Sequence, residues 1–303
     1  LNKNLSEIQK REILEILSEF DSVFARSETD IDPGYRGSYM YKITTSTPAQ
    51  QPCKFVQTAS KYDDELQKHI DMLKEQNVVE QIEFADVINA GFVIVKKKCG
   101  RLRFCLDLRG LNNITIPNKN YPIPHIDEIL GELSGNRYFS SLDLTSAYHQ
   151  FLIHPDNRDR YTFMGPDKRI YRYRRVPFGG RLVTAWLQAL MKQVILKDLE
   201  NTNAYIDDIN IGSKTFEQHK TDLRKTLERL SSLNLVLSAR KCEFGSSETK
   251  VFGYVANANG YKPDPARIET LQIALPTTKK ELLSTLAAIN YYRSTIPKFA
   301  ELA

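Results

Sequence analysis

Hydrophobic positions along the chain switch repeatedly between a helical and a strand period. Over residues 6–24, Ile13, Leu17, Phe20 and Phe24 fall on one face, and Ser6 with Gln9 makes a capping box, so the pattern predicts a helix. Residues 61–76 repeat the pattern with Tyr62, Leu66, Ile70 and Leu73 inward, and Asn77 supplies the stop. Between them, 25–59 is punctuated by Asp32-Pro33-Gly34, Thr47-Pro48 and Gln51-Pro52 and reads as an extended arm. The period then becomes two. A hairpin is expected over 91–98 and 101–108, turning at Cys99-Gly100. Leu102, Phe104, Leu106 and Leu108 share its core face, while Arg101, Arg103, Cys105 and Asp107 take the other, where the arginines are offered to a ligand.

Downstream, Tyr121-Pro122-Ile123-Pro124 is a rigid linker into a helix at about 126–134, followed by a strand that ends in Asp143. A second hairpin is expected over 160–176, a helix over 183–199, a tight turn at Tyr205-Ile206-Asp207-Asp208, and a long amphipathic helix marked by Phe216, Leu223, Leu227 and Leu230. A strand pair over 236–256 precedes a helical tail, 264–303, with Asp264-Pro265 as cap and first turn and Thr278…Glu281 as a capping box. No internal repeat interrupts this alternation, which predicts an α+β fold.

At 303 residues, 41% hydrophobic and 26% charged, the chain is long enough for more than one core. Its net charge of +5 permits a nucleic-acid partner without requiring one. Basic residues cluster at Lys96-Lys97-Lys98, Arg101, Arg103 and Arg109, and again at Arg169, Arg172, Arg174, Arg175 and Arg181, where Tyr171 and Tyr173 are interleaved. Such a mixture suits phosphates and bases, and a solvated strand edge is an equal alternative. The four cysteines form no Cys-x-x-Cys and lie near no His at ligand spacing, so zinc is not expected and a reducing, intracellular setting is. No run approaches membrane-spanning length, and the start at Leu1 reads as a piece of something longer.

Two carboxylate elements carry the chemistry. Asp143 closes an apolar stretch (Tyr138, Phe139, Leu142), and Asp207-Asp208 interrupt the run from Ala204 to Ile211. Adjacent like charges in a tight turn repel unless a cation compensates them. Two divalent cations held by oxygen ligands are what nucleotidyl transfer needs, so the pair reads as the metal core of a template-directed polymerase. Either element alone could be a polar turn.

The chain resembles the reverse transcriptases of gypsy-type long-terminal-repeat retrotransposons. The resemblance rests on Arg103-Phe104-Cys105-Leu106-Asp107-Leu108-Arg109-Gly110-Leu111-Asn112, Tyr121-Pro122-Ile123-Pro124, Ser140-Ser141-Leu142-Asp143-Leu144 with Tyr148-His149-Gln150, Val176-Pro177-Phe178-Gly179, Tyr205-Ile206-Asp207-Asp208, Lys241-Cys242-Glu243-Phe244 and Asn290-Tyr291-Tyr292-Arg293, in family order across nearly the whole chain. It implies a right-hand polymerase with an antiparallel palm sheet covered by helices. The N-terminal helix and arm would take 1–59, fingers 60–115 and 151–182, palm 116–150 and 183–256, and thumb 257–303.

By the same resemblance Asp143, Asp207 and Asp208 are catalytic, with Asp143, Asp207 and the carbonyl of Leu144 holding two Mg2+ (Mn2+ as alternative). Lys97 and Arg103 resemble triphosphate-gripping residues, Tyr148 the aromatic under the sugar, and Phe178 and Gly179 the nucleotide-pocket floor. Tyr205, Gln188, Phe252, Gly253 and Tyr254 would serve primer and template. The implied partners are an RNA or DNA template with primer and dNTPs, no membrane, and a dimer or a separate ribonuclease H domain or chain. Departures from the family fall at Gly180-Arg181-Leu182-Val183-Thr184-Ala185-Trp186-Leu187, where only Ala185 fits the usual text, at 85–92, and at Gly110. The first of these favours the alternative function, a captured relative that binds nucleic acid or protein without polymerising.

Overall fold

A computed structural model describes residues 1–2, 4–27, 30–31, 34–47, 60–96, 100, 102–117, 124–270 and 276–302. The elements in chain order are α1 (Glu7–Glu19), α2 (Asp63–Glu75), β1 (Val79–Ile82), β2 (Phe92–Lys96), β3 (Leu102–Leu106), α3 (Arg109–Ile114), α4 (Ile126–Leu133) and β4 (Tyr138–Asp143). Then come β5 (Thr162–Met164), β6 (Ile170–Tyr173), α5 (Val183–Leu190), β7 (Thr202–Tyr205), β8 (Asp208–Ser213) and α6 (Phe216–Ser232). The last are β9 (Glu243–Ser246), β10 (Glu248–Val251), β11 (Tyr254–Asn257), β12 (Gly260–Pro263), α7 (Pro265–Thr270), α8 (Lys279–Asn290) and α9 (Phe299–Leu302).

The centre is a four-stranded antiparallel sheet in the order β7-β8-β4-β9. Ile209 and Ile211 of β8 are fully buried, and Leu223, Leu227 and Leu230 of α6 pack into the same core. Each such side chain contributes about 1.5–3 kcal/mol on burial, which locks the helix to the sheet. His219 of α6 adds a polar rivet. Its Nε2 lies 2.8 Å from Ser140 Oγ on β4 and its Nδ1 3.2 Å from Ser213 Oγ on β8. Burial, more than the opposing charge of Asp222, pushes its pKa down to about 4.

A second sheet, β1-β6-β5, corrects the reading of the second basic cluster. Tyr171 and Tyr173 point inward and are buried. Arg172 is held by Glu80 at 2.7 Å and by Asp159, and Arg181 Nη1 donates to the carbonyls of Asn112 and Thr115 at 3.3 Å. Arg175 is only 3% exposed, with Nη1 donating to the carbonyls of His149 and Gln150. Alternation predicted which residues share a face. It could not say that a carboxylate from β1 waits on that face.

Other differences are local. Helix α1 keeps its Ser6/Gln9 capping box but ends at Glu19, because Asp21-Ser22-Val23 closes a 3-10 turn there. Short polar side chains such as Asp and Ser compete with the helical backbone at such a point. Helix α5 gives way at Met191–Ile195 to a π-turn, with Arg229 Nη1 donating to the carbonyls of Ile195 and Lys197 at 2.9 and 3.2 Å. The expected strand pair at 236–256 is instead β9, which joins the central sheet, and β10-β11, which forms a third sheet with β12. A division at residue 257 would cut the β11–β12 ladder, which runs to Pro263.

Of the expected arm, Tyr41 bridges Ile153 and Thr45 bridges Thr115, so this segment straps across the molecule. Tyr41 also meets Trp186 at 5.2 Å between ring centroids, and Trp186 meets Phe151 at 5.5 Å. The unusual tryptophan therefore completes a core contact with the arm. Among the described residues no helix is long and apolar enough to cross a membrane.

Candidate active site

The register of the central sheet sets Asp143, the last residue of β4, directly across from Asp208, the first of β8. Tyr205 pairs with Asp208 on the other side, so only Ile206 and Asp207 form the β7–β8 turn. Three carboxylates are thus gathered at one end of one sheet. The turn demands φ +61° at Ile206, a conformation that β-branched residues rarely adopt. Gln188 supports it from beneath: its Nε2 donates to the Ala204 carbonyl at 2.9 Å, and its Oε1 accepts from the Ile206 N–H at 2.6 Å. The Asp207 carbonyl accepts from the Leu144 N–H at 3.4 Å, tying the two carboxylate elements together.

The electrostatics of this end are those of crowded negative charge. Burial and then repulsion from Asp143 raise the pKa of Asp207, against one of its own backbone hydrogen bonds and Lys241. Asp208 keeps contact with solvent, yet partial desolvation, Asp207 and Asp143 push it up to about 6. Lys241 acts against both shifts, and its Nζ lies 2.8 Å from Asp143 Oδ1. Partial burial works against charging Lys241, but the hydrogen bond to Asp143 and the charges of all three aspartates outweigh it and raise its pKa. Among the described residues no group of three His, Cys, Asp or Glu side chains already forms a metal-binding cluster, and Asp143 is engaged with Lys241.

Beside the carboxylates, the Tyr148 ring meets Phe178 edge-on at 5.1 Å, and its hydroxyl lies 3.3 Å from Thr184 Oγ1. Arg103 reaches over the Phe178 ring at 5.7 Å, so the second strand of the β2–β3 hairpin does present its arginine to this corner. Gly179, at φ +93°, directs its carbonyl to the Asn112 side-chain amide. Lys97 and Arg101 lie outside the described residues.

On the opposite side, β10 and β11 are joined by Phe252-Gly253, both at positive φ (+55° and +78°), as a two-residue primed turn requires. The Phe252 ring packs on Tyr205 at 4.4 Å, and the Phe252 carbonyl accepts from the Tyr291 hydroxyl at 2.6 Å. A side chain at position 253 would meet the Tyr292 hydroxyl at 2.9 Å, so glycine is needed there for space as well as conformation. The two turns border an open cleft of about 690 Å3 that Arg267 and Tyr291 also line.

Two expected primer–template residues are corrected. Gln188 is 1% exposed and spends its amide on the carboxylate turn; Tyr254 is 2% exposed and donates its hydroxyl to the Tyr291 carbonyl at 3.0 Å. Both position the site from behind. Lys241 and Tyr291 were given no role from the sequence, although each stands in a string that marks the resemblance. A lone lysine among 42 basic residues carries no signal of its own.

A sequence profile described as reverse transcriptase (RNA-dependent DNA polymerase) matches residues 94–256. The chain is 32% identical over 253 residues to a retrovirus-related Pol polyprotein from transposon 297 of Drosophila melanogaster, covering 81% of this chain and 23% of that protein. It is 34% identical over 224 residues to the transposon Tf2-3 polyprotein of Schizosaccharomyces pombe, covering 73% of this chain and 17% of that one. The chain therefore spans about a fifth of the curated relatives it matches. Among solved structures, a foamy viral protease-reverse transcriptase in complex with double-stranded DNA superposes with a TM-score of 0.88 at 25% identity, over 98% of this chain and 52% of that one. The mixed fold of helices and antiparallel sheets is that of a right-hand polymerase, and the chain belongs to the reverse transcriptase (RNA-dependent DNA polymerase) family.

Proposed function

We propose that this chain is the polymerase part of a gypsy-type retrotransposon polyprotein, an RNA-directed DNA polymerase that extends a primer on an RNA or DNA template. The carrying observation is the Asp143–Asp208 register, with Asp207 in the turn beside it. Burial and mutual repulsion raise Asp207 and Asp208, and the surplus of negative oxygen donors beside Lys241 suits hard divalent cations. Asp143, Asp207 and the Leu144 carbonyl would hold Mg2+, or Mn2+ as alternative. Bound there, such ions lower the pKa of the attacking hydroxyl and neutralise the triphosphate.

The protein's own residues orient the reactants. Arg103, with Lys97, grips the triphosphate as a charged donor pair. Tyr148 supports the sugar and excludes a 2′-hydroxyl by collision, while Phe178 and Gly179 floor the pocket. The Phe252-Gly253 turn, seated on Tyr205, aligns the primer terminus. In this reading α2, β1–β3, β5 and β6 are fingers, the central sheet with α4–α6 is palm, and the thumb begins after Pro263. That Trp186 is absorbed into the core and Gln188 still braces the turn supports polymerisation over a merely binding relative.

The test is extension of labelled oligo(dT) on poly(rA) with dTTP. Template-dependent, Mg2+-requiring products are expected; duplex binding without extension in either Mg2+ or Mn2+ would favour the non-polymerising alternative.

A further inference from the structure

Helix α5 turns one face toward the carboxylates. Gln188, which braces the β7–β8 turn, and Thr184 stand four residues apart in it, so their side chains lie one above the other on that face. Thr184 Oγ1 lies 3.3 Å from the Tyr148 hydroxyl, and among the described residues neither hydroxyl has another hydrogen-bond partner. The same short helix therefore touches both the carboxylate turn and the Tyr148 ring.

The ring needs such a hold. Tyr148 stands in a four-residue 3-10 turn, Ala147–Gln150, that opens at Ser146 with φ +44°. Phe178 meets the ring edge-on at 5.1 Å and limits it from one side. The phenol oxygen is the ring atom farthest from the backbone, so a hydrogen bond there resists swinging at the longest lever. Burial raises the Tyr148 pKa against the Thr184 hydrogen bond, with Asp207 adding to the rise. The phenol thus keeps its proton near pH 7 and can either donate or accept.

Exclusion by collision is only as strict as the colliding ring is fixed, since a 2′-hydroxyl could push an unpinned ring aside at little cost. We propose that Thr184 is a positioning residue for sugar choice, its hydroxyl pinning the Tyr148 ring beneath the incoming sugar. One face of α5 then sets two boundaries of the site, the carboxylates through Gln188 and the sugar through Thr184. The proposal rests on reading Tyr148 as the sugar boundary of a polymerase. Thr184 lies in the segment 180–187 that departs from the family, so the hold is this chain's own.

The experiment compares dCTP with CTP, which differ only in the 2′-hydroxyl, in single-turnover extension by the full chain opposite a template G, with duplex affinity read by anisotropy. Thr184→Val keeps the branched shape and removes the hydroxyl, Thr184→Ser keeps the hydroxyl, and Tyr148→Phe removes its partner. Thr184→Val is expected to lower the preference for dCTP about 2–10-fold, the range one hydrogen bond supplies, through better use of CTP at unchanged duplex affinity. A general packing defect would instead slow both nucleotides. Thr184→Ser should keep the wild-type preference, and Tyr148→Phe combined with Thr184→Val should fall no further than either change alone, because the same bond is lost each time. An unchanged preference in Thr184→Val, a loss in Thr184→Ser as large as in Thr184→Val, or losses that add in the double variant would overturn the proposal. If Thr184→Val does not fold, Tyr148→Phe decides: a fall in the same range sustains the hydrogen bond's role and no fall overturns it. Tyr148→Val tests the reading beneath. A wild type that does not extend, or that uses both nucleotides equally, or a Tyr148→Val protein that gains no use of CTP, removes that reading and the proposal with it.

Discussion

Two two-residue turns face each other across the cleft and are built in opposite ways. The β7–β8 turn holds Ile206 at φ +61° and is braced from the buried side by both ends of the Gln188 amide. The β10–β11 turn uses Phe252-Gly253, a sequence better suited to its backbone, and is held from the outside by the Tyr291 hydroxyl. A strained turn persists only where its surroundings over-determine it. The first is therefore fixed, as the proposed cation site would require, and the second, held from outside, is the adjustable one in that reading.

The largest effect is expected from the fixed turn's charges. Asp143→Asn, Asp207→Asn or Asp208→Asn should each lower extension about 100-fold or more, with primer–template affinity and melting temperature nearly unchanged. Single-turnover extension beside fluorescence-anisotropy binding checks it; equal losses in both would reassign these residues to structure.

Next comes the brace. Gln188→Leu leaves the Ala204 carbonyl and the Ile206 N–H without partners, each loss costing about 1–3 kcal/mol. A fall of roughly 10–100-fold in the single-turnover rate is expected, with a melting point a few degrees lower and unchanged duplex affinity. A rate loss matched by weaker duplex binding would mean that Gln188 touches nucleic acid after all.

How much of this the sequence disclosed differs by residue. The juxtaposition of Asp143 with Asp207 and Asp208 was legible from the apolar strand that Asp143 closes and from the tandem pair at a tight turn. The hairpin face of Arg103 was legible from period-two alternation, and the capping boxes at Ser6 and Thr278 from local rules. Gln188 and Tyr254 were placed at the site but on its wrong side, because spacing reports proximity and not burial. Arg172 and Arg175 were misread since their partners, Glu80 and the carbonyls of His149 and Gln150, come from elsewhere in the fold. The partnership of Lys241 with Asp143 spans 98 residues, beyond any local pattern.

The sheet beneath the fixed turn should also be acid-sensitive. His219 ordinarily titrates near 6.5 and is held at about 4 when folded, so the unfolded chain binds its proton first. Stability is therefore full above about pH 6.5 and falls as pH drops toward 4, by about 3 kcal/mol from this group alone. Melting curves across that window should be less steeply pH-dependent in His219→Gln than in wild type. Parallel curves would remove His219 from the acid response.

The smallest effect belongs to the adjustable turn. Tyr291→Phe removes one solvent-accessible hydrogen bond, worth about 0.5–1.5 kcal/mol, and should weaken primer-terminus binding about 2–10-fold while sparing the single-turnover rate. A change in rate without a change in binding would erase the contrast between the turns.

That the fixed turn is a metal centre is tested most directly by titrating Mn2+ into the wild-type protein and Asp207→Asn, each with primer–template and dNTP, and counting bound ions by electron paramagnetic resonance. Two tightly bound ions in the wild type and a loss of tight binding in Asp207→Asn are predicted; the same stoichiometry and affinity in both proteins would contradict the account.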